Sequence, residues 1–174
     1  MRKEITAKAF VFGKNIDTDQ IYPGRFVELV NPADIAKHCL EGADPTFVER
    51  VSPGDIVVAG TNFGCGSSRE HAAITLLHTG VSVVLAESFA RIFFRNAINL
   101  GIPLMMVPGI SEKVSDEDTL EINLETGVVL NKTTGVSLQG QKISDYTMDI
   151  LENGGIKPLF KKKTENMYNQ NDLS

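Results

Sequence analysis

The fold turns on Asp55-Ile56-Val57-Val58-Ala59-Gly60 and the segment after it, Thr61-Asn62-Phe63-Gly64-Cys65-Gly66-Ser67-Ser68-Arg69-Glu70-His71. The first is a short apolar run between turn signals, the pattern of a strand buried on both faces. The second opens as a glycine-rich loop and passes into a helix, Arg69 to His78, closed by Gly80. Val81 to Ala86 repeats the strand pattern. Ser88 is placed to cap a second helix that reaches about Leu100 and stops at Gly101, with Pro103 beyond. Leu104 to Val107 is a third strand. Strand, helix, strand, helix, strand at this spacing implies parallel β-α-β units with right-handed crossovers.

Working outward, residues 4–12 read as a strand apolar enough to lie inside a sheet. A polar loop rich in turn formers follows, from Gly13 to Asp19, then a turn at Pro23-Gly24 and a short apolar stretch, Phe26 to Val30. Asn31-Pro32 opens a helix from Ala33 to Leu40, and residues 43–54 read as a surface connection. Downstream of Asp118 the period changes to two. Leu120, Ile122 and Leu124 alternate with polar residues, and Val128 to Leu130 and Val136 to Leu138 follow across Thr126-Gly127 and Thr134-Gly135. These are short antiparallel strands. A last helix runs from about Ser144 to Glu152. The fold class is α/β, a parallel β-α-β core with additional antiparallel strands. Residues 1–160 form one domain, and 161–174 form a mobile polar tail.

In open α/β sheets, ligands bind where loop 61–69 falls, between the C-terminal end of a parallel strand and a helix N-terminus. Gly64 and Gly66 permit unusual backbone angles and close approach. The helix start, the hydroxyls of Ser67 and Ser68 and the guanidinium of Arg69 would converge on an anion, a carboxylate or a phosphate. The same letters also spell the capping box S-x-x-E, from Ser67 to Glu70. The two readings are compatible. A cap accounts for Ser67 and Glu70, but not for the second serine, nor for an arginine where a cation opposes the helix dipole.

Other templates fit less well. Gly64-x-Gly66 has Arg69 where the dinucleotide fingerprint takes a small residue, and no G-x-S-x-G elbow exists. Cys65 as a nucleophile would need His71 or His78, which lie on or near the same helix. Asp17-Thr18-Asp19-Gln20-Ile21-Tyr22-Pro23-Gly24-Arg25 is either a solvated turn or a second part of the site. Arg91 and Arg95, four apart on the second crossover helix, are either an exposed basic stripe or support for the anion site.

Composition narrows the function classes. The chain has 174 residues, and 17 basic against 22 acidic side chains give a net charge of −5. An acidic balance without a basic stripe argues against a nucleic-acid partner. No apolar run approaches the roughly 20 residues of a membrane span. Met1 to Ile5 lacks the features of a secretory signal. Two cysteines, Cys39 and Cys65, make no disulfide framework and fit a reducing cytoplasm. They are also fewer than the about four ligands an iron–sulfur cluster usually takes.

Three stretches carry a family resemblance: N-I-D-T-D-Q-I-Y-P-G-R from Asn15, N-F-G-C-G-S-S-R-E-H-A from Asn62, and S-F-A-R-I-F-F-R-N-A-I-N-L-G-I-P from Ser88. They resemble the small subunits of 3-isopropylmalate dehydratases, the detached swivel domain of the aconitase superfamily. The likeness runs from roughly Ala9 to Pro158. It implies a swivelling β/β/α domain, leucine biosynthesis in the cytoplasm, and a separate large subunit holding a four-iron, four-sulfur cluster. The cluster iron would act as Lewis acid on a leaving hydroxyl, while this chain binds no metal. By the same resemblance, Ser67 is the base and Asp19 a further catalytic residue. Ser68 and Arg69 hold substrate carboxylate, and Arg25 corresponds to a second carboxylate-binding arginine. The stretch Phe26 to Asn31 would face the variable substituent. Its apolar residues and lack of an extra cation favour isopropylmalate over homoaconitate or citrate, with dimethylmalate as an alternative because of Glu28. A stand-alone phosphate- or nucleotide-binding module is the alternative from another class.

Overall fold

Strand β1 (Glu4–Val11) pairs differently on its two sides. On one side it runs parallel to β2 (Ile56–Ala59), with Ala9 opposite Ile56; β3 (Val83–Ala86) and β4 (Leu104–Met106) continue in parallel. On the other it runs antiparallel to β5 (Thr119–Asn123), followed by β6 (Val128–Asn131) and β7 (Ser137–Gln139). The computed structural model describes residues 1–171, and its sheet order is β4-β3-β2-β1-β5-β6-β7. The expected α/β class with an added antiparallel part is what the chain adopts.

Every residue of β2 and β3 is buried, as their unbroken apolar runs require. Their side chains alternate between two cores. Val57, Ala59, Val84 and Ala86 pack with Phe10 and Phe47 and with Leu76, Phe93 and Ile150. Those last three come from α4 (Glu70–Thr79), α5 (Arg91–Asn99) and α7 (Asp145–Glu152). Ile56, Val58, Val83 and Leu85 pack instead with Leu120, Ile122 and Val129 of the antiparallel strands and with Ile110 of α6 (Ile110–Lys113). The sheet curls to enclose this second core: the Gln141 N–H donates to the Met106 carbonyl at 2.8 Å, so chain beyond β7 meets β4. Buried Asn131 donates to Asp118 at 2.8 Å and to the Lys113 carbonyl at 3.0 Å, pinning the base of β6.

Several local expectations change. α4 starts at Glu70 with Arg69 as its N-cap residue, and no side chain caps it, so the Ser67–Glu70 capping box does not form. Ser88 does not cap α5, which starts at Arg91; its hydroxyl accepts from the Asn62 N–H at 2.7 Å and ties together the loops after β2 and β3. The helix expected over 33–40 is α2 (Pro32–Ala36), and the one-turn helices α1 (Thr18–Ile21), α3 (Phe47–Arg50) and α6 are unforeseen. The expected tail, 161–174, continues α8 (Ile156–Asn171) to its last described residue, and 172–174 lie outside the described residues. Among the described residues, no helix is long and apolar enough to cross a membrane.

Candidate active site

Two loops leave the C-terminal ends of the neighbouring parallel strands β1 and β2, and backbone contacts stitch them together. The Gly64 N–H donates to the Ile16 carbonyl and the Thr18 N–H to the Cys65 carbonyl, each at 2.8 Å. The Thr18 hydroxyl then donates to the Ser67 carbonyl at 2.9 Å. Thr18 is buried, and nothing in its sequence neighbourhood announces this contact across 49 residues. The first loop is stiff because its polar groups satisfy one another. Asp17 caps α1 in a reciprocal box with Gln20. Buried Tyr22 donates its hydroxyl to the Phe26 carbonyl at 2.6 Å and stacks on His71.

The second loop is shaped by glycine. Gly64 has φ +85°, and a Cβ there would lie 2.2 Å from the Phe93 ring. Both facts exclude a side chain. Gly66 has φ +96° and brings the chain back over Thr18. The two serines beyond it are exposed: Ser67 and Ser68 face solvent, and neither hydroxyl has a hydrogen-bond partner among the described residues.

Arg69 is held rather than free. Its Nη1 donates to Asp19 Oδ1 and to the Tyr22 carbonyl, both at 3.0 Å. Nε and Nη2 have no partner among the described residues, which leaves N–H donors for a bound carboxylate. Asp19 Oδ1 also accepts from the Gly24 N–H at 2.8 Å. The Arg69 hydrogen bond, seconded by that of Gly24, holds the Asp19 carboxyl below its ordinary range. Asp19 is thus a fixed anion that aims Arg69.

An open cleft of about 980 Å³ lies over these loops, lined on one side by Thr18, Gly66, Ser67, Ser68 and Arg69 and on the other by α5, including Arg91 and Arg95. Among the described residues its charged lining consists of those three arginines, with no carboxylate, in a chain that is acidic overall. Asp19 stands behind Arg69 and is not part of the lining. Arg25 is not brought there: it pairs with Glu41 at 2.8 Å and lies over the Phe26 ring, which stacks on His38. Glu28 faces solvent, and so does Val30, at 88% exposure.

The chain's own donors do not suit an iron–sulfur cluster. Cys39 is fully buried, which pushes its thiol up to about 12, and Cys65 stands apart from other thiols as a single half-buried residue. Among the described residues, no three His, Cys, Asp or Glu side chains gather as a metal-holding group.

Residues 47–108 match the family described as the aconitase C-terminal domain. The "Isopropylmalate/citramalate isomerase small subunit" of Methanocaldococcus jannaschii is 55% identical over 94% of this chain and 97% of its own. The "3-isopropylmalate dehydratase small subunit 1" of Methanopyrus kandleri is 52% identical over 94% of this chain and 96% of its own. The crystal structure of a 3-isopropylmalate dehydratase from M. jannaschii superposes with a TM-score of 0.92 at 36% identity, covering 96% of this chain and 99% of that one. Identity at this level over nearly the full length of these relatives places the chain: it belongs to the family of 3-isopropylmalate dehydratase small subunits.

Proposed function

We propose that this chain works as the small subunit of a cytoplasmic two-chain dehydratase that interconverts 2-isopropylmalate and 3-isopropylmalate by removing and re-adding water. The observation that carries the reading is a Ser67 hydroxyl beside a pre-aimed Arg69, with no partner and no cleft-lining carboxylate among the described residues. The four-iron, four-sulfur cluster of the reaction belongs, in this reading, to the large subunit.

The residues of this chain then divide the work. The free donors of Arg69, with the Ser68 hydroxyl, bind one substrate carboxylate and fix the adjacent carbon over Ser67. Ser67 Oγ takes the proton from that carbon and, on rehydration, delivers it to the neighbouring carbon that lost the hydroxyl, while the returning water adds its hydroxyl where the proton had been. A serine anion is costly in water, so the role demands positive surroundings. The uncapped start of α4 and the Arg69 guanidinium provide them. Asp19, expected from the sequence as catalytic, acts here through Arg69 as its positioning partner. Arg25 anchors the 23–31 loop to Glu41, so contact with substrate would require that pair to open.

Mixing the chain with its large subunit and assaying a panel of substituted malates tests the reading. Turnover only in the mixture, fastest with isopropylmalate, is the expected result. Citramalate belongs in the panel because the M. jannaschii relative is named for both substrates. A mixture inactive on every substituted malate overturns the reading.

A further inference from the structure

We infer that the α5 face formed by Arg91, Ile92 and Arg95 is the surface on which the large subunit docks, through an acidic segment that carries an apolar side chain. The inference rests on the two-chain reading above. Arg91 and Arg95 are four residues apart, and Ile92 is three from Arg95, so the three share one face of the helix.

Charge points to an anionic occupant. Arg25, Arg50 and Arg69 each hold a carboxylate of this chain. Arg91 and Arg95 hold none among the described residues, although acids outnumber bases in the sequence. α5 begins with Arg91, carries no acid in its first turn and has Ala90 as an N-cap that offers no side-chain acceptor. A cation there opposes the helix dipole until an outside anion meets it.

The neighbouring surface points to a polypeptide rather than a small diacid. Ile92, on the same helix face as the two arginines, is 48% exposed, and Phe89 and Phe94 line the same cleft half-buried. At about 980 Å³ the cleft is at the upper end of sites for drug-sized ligands, about 300–1,000 Å³. A dicarboxylate seated at Ser67–Arg69 leaves the α5 side uncovered. A protein segment with one apolar side chain over Ile92, flanked by carboxylates, fills that side and keeps water from the base.

The test is the affinity of the full chain for its large subunit, measured by calorimetry at low and moderate salt. Four variants serve: Arg91→Glu with Arg95→Glu, Arg91→Lys with Arg95→Lys, Arg95→Gln alone should the double reversal fail to fold, and Lys132→Glu on the distant β6 side as control. The double reversal should weaken assembly about a hundredfold or more, Arg95→Gln about tenfold, and the lysine pair less than tenfold. The control should stay within about twofold. Salt should weaken wild-type assembly and have little effect on the reversed variant. Wild-type assembly and turnover together with a reversed variant of normal affinity overturn this inference alone. So does normal affinity with a raised KM, which would assign the arginines to substrate. A wild-type pair that neither assembles nor turns over removes the two-chain reading and this surface with it.

Discussion

The loops after β1 and β2 leave adjacent strands at the same end of the sheet, yet they use their polar groups in opposite ways. In loop 13–25, Asp17 and Gln20 cap each other's backbone, Asp19 is held by Gly24 and Arg69, the Tyr22 hydroxyl by Phe26, and Arg25 by Glu41. In loop 61–69, Ser67 and Ser68 present hydroxyls with no partner among the described residues. The satisfied loop is the template and the unsatisfied one is the tool. Arg69 joins them, fixed by one nitrogen and open at the others.

Substitutions can break this contrast. The largest effect belongs to the unsatisfied loop: Ser67→Ala should lower kcat about a thousandfold, within the range for losing a general base, and leave assembly and melting temperature unchanged. A kcat within tenfold of wild type would refute the base assignment. Gly64→Ala comes next and acts on stability instead. The new methyl meets the Phe93 ring and forces a positive φ on a residue with a Cβ, so chemical denaturation should show a loss of about 3 kcal/mol. A loss under about 1 kcal/mol would mean that the ring moves aside without cost.

Asp19→Asn tests the template. It should raise KM about tenfold with a smaller change in kcat, because Arg69 loses its orienting anion but remains present. A fall in kcat at unchanged KM would make Asp19 a direct participant. The sign of the pH effect comes from its lowered carboxyl. The ionised form is the one bound by Arg69, so its contribution is complete above the ordinary aspartate value, about 3.9, and fades only as pH falls through the lower folded value. Wild-type KM should therefore stay flat from neutral pH down to about pH 5 as far as Asp19 is concerned. The smallest effect is expected of Arg25→Ala. The Arg25 side chain is 65% exposed where it meets half-buried Glu41, so the pair is worth about 1 kcal/mol or less, and KM should change less than threefold. A tenfold rise would bring Arg25 back to the substrate.

The same contrast explains how much of the molecule is legible in its sequence. Runs such as Ile56–Ala59 and Val83–Ala86 declare buried parallel strands because nothing polar interrupts them, and the 120–138 alternation declares strands with one wet face. The loop 61–69 is legible as a site from its glycines, hydroxyls and position. The partners are not. Arg25 reaches Glu41 across 16 residues, and Arg69 reaches Asp19 across 50. No local pattern reports such pairings. The capping box fails for a similar reason. The Ser67 carbonyl takes the Thr18 hydroxyl, and Arg69 is still extended at the point where α4 begins. Residues 161–171 read as a tail from their low apolar content, yet they extend α8, whose first turn is seated in the core through Leu159 and whose later lysine, glutamate and methionine are good helix formers.

The central place of β1 has a consequence for how the chain is made. Its parallel partner β2 ends at Ala59 and its antiparallel partner β5 at Asn123, so from Val11 the ribosome must add 123 − 11 = 112 residues before both flanks exist. At about 5–20 residues per second, that is on the order of ten seconds of synthesis. Throughout that interval Phe10 and Ala9, both fully enclosed in the finished molecule, wait for one side of their shelter. Newborn chains stalled between β2 and β5 therefore form a distinct population, with one half of the sheet assembled around an open flank. That flank is an unpaired strand edge, open to association until β5 covers it.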